Sequence, residues 1–70
     1  MDVLKINGKE KEFTAGQFPA TLAELLEQLG VEAATVVAEV DGDIVERENF
    51  ARTRLAPGGS IELVRFVPGG

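Results

Sequence analysis

The chain has 70 residues, of which 44% are hydrophobic and 27% charged, and its formal net charge is −5. This length predicts one domain with a small core, and the negative charge disfavours nucleic acid and anionic membranes as partners. The sequence contains no Cys, His, Tyr or Trp, which excludes disulfides, thiol nucleophiles and thiolate metal sites and removes the most common general base. We therefore expect no catalytic residues, no metal site and no independent enzyme.

Targeting signals are also missing from the sequence. No apolar run approaches the ~20 residues that cross a bilayer as a helix. The N-terminus lacks the charged and apolar regions of a secretory signal. We expect a cytoplasmic protein that is a monomer when free.

The first elements in the chain form a predicted β-hairpin. Residues 2–6 place Leu4 and Ile6 on one face at the period of a strand. Asn7-Gly8 suits a type I′ turn, because both positions need a positive φ. The second strand of the hairpin is predicted over residues 9–13.

The next element is a predicted amphipathic helix. Thr21 and Glu24 form a capping-box pattern, and Gly30 stands where a left-handed residue ends a helix. The apolar stripe between them consists of Leu22, Leu25, Leu26 and Leu29. This stripe predicts one buried helix face.

The second half of the chain predicts three more strands, over residues 35–40, 44–45 and 61–67. Asp41-Gly42-Asp43 and Pro57-Gly58-Gly59 are turns, and Phe50 is expected to pin an irregular connection to the core. The order is β-β-α-β-β-β, in which one helix must bury its stripe against a mixed sheet. We therefore predict an α+β chain with the ubiquitin-like β-grasp fold.

The surface residues of the second half allow two interpretations each. Val64 and Phe66 point away from the inner face of the last strand if that strand is regular, so they form a partner docking patch unless a bulge turns them inward. For Arg47, a structural role is favoured over a contact with a partner. An acidic stretch is either a solvated face or a docking site for a basic partner, and it consists of Glu39, Asp41, Asp43, Glu46 and Glu48.

The tail that follows the last strand ends in Gly69-Gly70. A frayed terminus is one interpretation. The other is chemical: a terminal carboxylate accepts a nucleophile only after activation, for instance as an acyl adenylate, and glycines without Cβ pass through a narrow channel. Residues 67–70 would reach about 13–14 Å when extended, and Pro68 biases Val67 towards extended geometry. We predict one domain over residues 1–70 with a flexible tail over residues 67–70.

With these elements in place, the whole chain resembles the ThiS family of ubiquitin-like sulfur carriers in thiamin biosynthesis. The matching elements are Asn7-Gly8, Gly16, Leu25-Leu26-x-x-Leu29, Val40-Asp41-Gly42, Val45-x-Arg47-x-x-Phe50, and the strand from Ile61 to Val67 running into Gly69-Gly70. Two positions depart from the family's usual pattern, Pro68 before the glycines and Gly59-Ser60 before the last strand.

The resemblance implies that the C-terminal carboxylate of Gly70 is adenylated and then converted to a thiocarboxylate. It implies three partners: a ThiF-like adenylyltransferase, a persulfide sulfur donor and a ThiG-like thiazole synthase. ATP would be used by the activating partner, and no cofactor would be bound by this chain. Two alternatives stay open, a MoaD-like carrier for molybdopterin synthesis and a ubiquitin-like interaction or conjugation module.

Overall fold

A computed structural model describes residues 2–66 and contains one five-stranded sheet with a helix packed against one face. The strands are β1 (Asp2–Ile6), β2 (Lys9–Phe13), β3 (Val36–Val40), β4 (Asp43–Val45) and β5 (Ser60–Arg65). The helix is α1 (Leu22–Leu29), and two 3₁₀ segments span Ala33–Thr35 and Arg47–Arg52. No helix in this part of the chain is both long and apolar enough to cross a membrane.

The strand order in the sheet is β2-β1-β5-β3-β4. β1 and β5 run parallel, and the other neighbouring pairs are antiparallel. The sheet is therefore mixed, and the predicted β-grasp fold and its β-β-α-β-β-β order are confirmed. β5 ends at Arg65, two residues earlier than the sequence predicted, and Val67 lies outside the described residues.

The ends of α1 carry the predicted caps, with one difference in geometry. Thr21 Oγ1 accepts a hydrogen bond from the backbone N–H of Glu24 at 3.2 Å. Glu24 Oε1 accepts from the N–H of Ala20 at 3.2 Å, one residue before the helix cap rather than at the cap itself. Gly30 adopts the left-handed conformation with φ 71°. These local contacts fix the helix where the sequence placed it.

The core lies between α1 and the inner face of the sheet. Leu22, Leu25 and Leu26 are buried and Leu29 is half-buried, as the apolar stripe predicts. The other core side chains are Leu4, Phe13, Val36, Ala38, Phe50 and Ile61. Phe50 lies in the second 3₁₀ segment and is buried, which confirms that this residue pins the connection to the core.

Candidate functional site

The candidate site is built on β5, the strand that leads towards the C-terminus. β5 has a neighbour on each edge, β1 and β3. On the β1 side, the N–H of Lys5 donates to the carbonyl of Gly59 at 2.9 Å, and the N–H of Asn7 donates to that of Ile61 at 2.9 Å. The strand that carries the tail is therefore a central strand of the sheet.

The side chain of Asn7 extends this pairing beyond the end of β1. Its Oδ1 accepts a hydrogen bond from the N–H of Leu63 at 2.7 Å. Asn7 has a φ of 52°, as the predicted turn requires, so the main chain turns away while the side-chain amide takes the place of the next strand residue. Sequence analysis assigned Asn7 to the turn only and missed this contact, because nothing local in the sequence indicates a partner 56 residues away.

β3 holds the other edge of β5 along its length. Their register runs from Val36↔Arg65 to Val40↔Ile61, and beyond β5 the N–H of Phe66 donates to the carbonyl of Thr35 at 2.8 Å. The chain is thus fixed by main-chain hydrogen bonds up to the last described residue. A reactive group in the residues that follow would project from a rigid base.

Asp41 fixes the start of the same strand. Its N–H donates to the carbonyl of Ser60 at 2.7 Å, and its Oδ1 accepts from the N–H of Ser60 at 2.8 Å. Asp41 also has a positive φ of 51°, a conformation that aspartate tolerates better than most residues. One member of the predicted acidic stretch is therefore structural.

Val64 and Phe66 are exposed, with 64% and 46% of their surfaces accessible. The β3–β5 register is continuous through Val64, so the alternative in which a bulge turns them inward is wrong. Val37, directly opposite Val64 on β3, is exposed as well, and so is Ile44 on β4. Sequence analysis did not single out these last two residues. We call the four side chains Val37, Ile44, Val64 and Phe66 the outer patch.

A groove of about 330 Å³ opens beside the outer patch. Val37, Ile44 and Phe66 line it, together with Ala33 and Ala34 of the first 3₁₀ segment. Val36 and Val45 line it as well, and the run Glu46-Arg47-Glu48, whose side chains are all exposed, forms its charged border. Arg47 therefore lies at a surface groove, where a partner could reach it.

The tail residues cannot be placed in this geometry. Val67, Pro68, Gly69 and Gly70 lie outside the described residues, so their roles in threading and modification stay predictions. Within residues 2–66, no group of three or more His, Cys, Asp or Glu side chains is arranged to hold a metal ion.

This geometry defines a small β-grasp protein whose central strand leads to the C-terminal segment. The ThiS family model matches residues 4–70, and the chain belongs to the ThiS family. A crystal structure of the thiamine biosynthesis protein ThiS from Geobacter metallireducens is 35% identical, with a TM-score of 0.78, and the match covers 97% of this chain and 99% of that one. A solution structure of a thiamine biosynthesis protein from the same organism has a TM-score of 0.74 at 35% identity, over 100% of this chain and 88% of that one.

One relative is much longer than this chain. The thiazole synthase of Paramagnetospirillum magneticum is 36% identical over 67 residues, which are 96% of this chain but 20% of that protein. The chain therefore spans about a fifth of the length of the curated relative it matches. The similarity concerns that segment alone.

Proposed function

We propose that this chain is a sulfur carrier of thiamin biosynthesis that works through the carboxylate of Gly70 and is not itself an enzyme. The observation that carries the proposal is the anchoring of β5 on both edges, by β1 and Asn7 up to Leu63 and by β3 and Thr35 up to Phe66. In a chain that belongs to the ThiS family, that strand forms a rigid base for a short reactive end.

The proposed chemistry has two stages. A carboxylate oxygen of Gly70 attacks the α-phosphorus of ATP in an adenylyltransferase, which releases pyrophosphate and leaves an acyl adenylate. A persulfide sulfur then attacks the activated carbonyl carbon and displaces AMP, which leaves an acyl disulfide between Gly70 and the donor. A second thiol of the sulfur donor system attacks the donor's sulfur and forms a new disulfide with it, and the broken S–S bond leaves one sulfur on Gly70 as the thiocarboxylate. The carrier itself supplies the acyl group and its placement, which is a contribution of proximity rather than of acid–base catalysis.

The proposed acceptor of the sulfur is a thiazole synthase. This part of the proposal is supported by the protein named thiazole synthase that contains a segment similar to this chain. A carrier segment inside the acceptor's own polypeptide would be held at a high effective concentration. In the present chain the same transfer would take place between separate proteins or between linked segments.

The proposal predicts a change at a single atom. Incubation with a ThiF-like adenylyltransferase, ATP and a persulfide donor should raise the intact mass by the difference between sulfur and oxygen. Fragmentation should locate the change at Gly70, and omission of ATP should abolish it. A mass that stays constant with an adenylyltransferase that activates another ThiS-family carrier would contradict the carrier function.

Val64 and Phe66 are proposed to dock the activating enzyme. Both are exposed, and Phe66 directly precedes the tail, so a partner that receives the tail meets this face of the sheet. Phe66→Ser should weaken binding of the adenylyltransferase by at least about tenfold, because an interfacial aromatic side chain contributes several kcal/mol. The melting temperature should stay within a few degrees of the wild-type value. If the variant instead loses most of its stability while its folded molecules bind normally, Phe66 belongs to the core.

A further inference from the structure

The outer patch is a contiguous apolar surface on the face of the sheet opposite α1. Its exposed fractions are 47% for Val37, 69% for Ile44, 64% for Val64 and 46% for Phe66. Val37 and Val64 are direct cross-strand neighbours, and Ile44 and Phe66 line the same groove as Val37. Single exposed apolar residues are ordinary, whereas a joined set of large ones indicates an interaction surface.

The groove beside the patch suits a protruding apolar side chain. Its volume of about 330 Å³ is at the lower end of the range for sites that hold small molecules. Such sites orient their ligands with a few placed polar groups inside the cavity, whereas the charged residues at this groove, Glu46, Arg47 and Glu48, are exposed to solvent at its border. An aliphatic or aromatic side chain of a protein partner needs no such groups, so it fits the groove better.

The charged residues beside the outer patch indicate which charge the partner carries next to its inserted apolar side chain. Glu39 of β3 lies directly opposite Glu62 of β5, and Ile44 is the other cross-strand neighbour of Glu39. Like charges in this position destabilise a sheet, and a basic group of a partner would relieve the repulsion. We call Glu39 and Glu62 the carboxylate pair.

The rest of the outer face of the sheet also carries more acidic than basic side chains. Glu10 and Glu12 of β2 face outward by strand alternation from the buried Phe13, and Lys5 is the basic residue on the same face of β1. A second copy of this chain would bring the same excess of carboxylates to the interface. The charge therefore favours a basic partner over self-association.

We propose that the outer patch and the carboxylate pair form one docking surface for a partner protein that inserts a large apolar side chain into the groove and places a Lys or Arg against Glu39 and Glu62. The inference rests on the proposed carrier function, which supplies the adenylyltransferase as the partner to test. It extends the docking face across β3 to β4, away from the tail. Recognition of the carrier is then separate from the chemistry at Gly70.

The test is a binding titration without ATP, with a ThiF-like adenylyltransferase from the same genome as the probe. Ile44→Ser should weaken binding about tenfold, the usual scale for truncating a central apolar contact. Ile44 lies on an edge strand and is 69% exposed, so the fold should persist. Ile44→Thr, which keeps a β-branched strand former, serves if the serine variant is unstable.

The second variant, Glu62→Lys, should weaken binding without lowering the stability of the fold, so it separates the two effects. Glu62→Lys replaces a repulsive cross-strand pair by an attractive one, so the melting temperature should stay the same or rise. Binding should weaken about tenfold at low ionic strength, with a flatter salt dependence than the wild type. Glu12→Lys is the matched control, because it makes the same charge reversal on the same face at the far edge strand β2. It should change binding less than about twofold.

Each result decides the proposal. Wild-type affinity in both Ile44→Ser and Glu62→Lys would overturn it, and so would an equal loss in Glu12→Lys, which would reduce the effect to net charge. Concentration-dependent dimerisation of the wild type that Ile44→Ser abolishes would assign the patch to a second copy and also overturn it. A wild-type chain that binds but gains no sulfur would instead contradict the carrier function and leave the docking surface standing.

Discussion

Addition of one alanine after Gly70 should abolish adenylation, with a loss of at least about 100-fold. The extra residue would move the carboxylate that we propose to react by about 3.3–3.6 Å, and it would place that carboxylate on an alanine instead of the glycine that the activating site is proposed to accept. The fold should not change, since the contacts that hold β5 among residues 2–66 are made by Phe66 and the residues before it. The measurement is the rate of ATP–pyrophosphate exchange at a fixed concentration of the adenylyltransferase.

The control for this variant is the same alanine inserted between Met1 and Asp2, which leaves the C-terminus free and should be activated normally. A side chain in the tail gives a graded version of the experiment. Gly69→Ala should slow activation and Gly69→Val should slow it further, because each adds atoms to a segment proposed to pass through a narrow channel. Adenylation of the extended chain at the wild-type rate would show that the free terminus is not the reactive group.

Leu25→Ala should lower the free energy of unfolding by about 2–5 kcal/mol. Leu25 is fully buried at the centre of the helix stripe, and its truncation leaves a cavity under the sheet. A domain of this size is stable by only about 4–10 kcal/mol in total, so the loss removes a large share of the stability. With no Trp or Tyr in the sequence, far-ultraviolet circular dichroism in urea is the appropriate measurement.

Leu29→Ala provides the matched control for Leu25→Ala. It makes the same chemical change on the same helix, but Leu29 is half-buried, so the loss should be clearly smaller. Equal effects of the two substitutions would mean that burial does not decide the energetics of this helix. A negligible shift for Leu25→Ala would contradict the position of the helix face.

The helix and the turns are the parts of this protein that the sequence determined by itself. Thr21 accepts a hydrogen bond from a donor in the first turn of the helix, Glu24 accepts one from the residue before the cap, and Gly30 takes a left-handed conformation that most residues resist. Asn7 likewise adopts the positive φ that the Asn-Gly turn predicts, and Asp41 lies in a predicted turn and has a positive φ as well. These features depend on short-range sterics and hydrogen bonds, so a local pattern is sufficient to predict them.

The sequence determined the exposure of Val64 and Phe66 only in part. Strand alternation placed them opposite the inner face, but a bulge would have reversed the result, and the sequence contains no feature that excludes one. The continuous register with β3 decides the matter. Pairing between distant strands depends on the packing of both faces, which a local pattern does not contain.

The tertiary structure alone decided which residues meet around β5. Val37 and Ile44 each precede Val64 by many residues, and they join it because β3 pairs with both β4 and β5. The hydrogen bond from Leu63 to Asn7 spans 56 residues and exists because β1 and β5 run parallel side by side. Hydrophobic periodicity determined which face of the first, third and last strands is buried, while strand order and register, set by the burial of a single core, determined which exposed residues became neighbours.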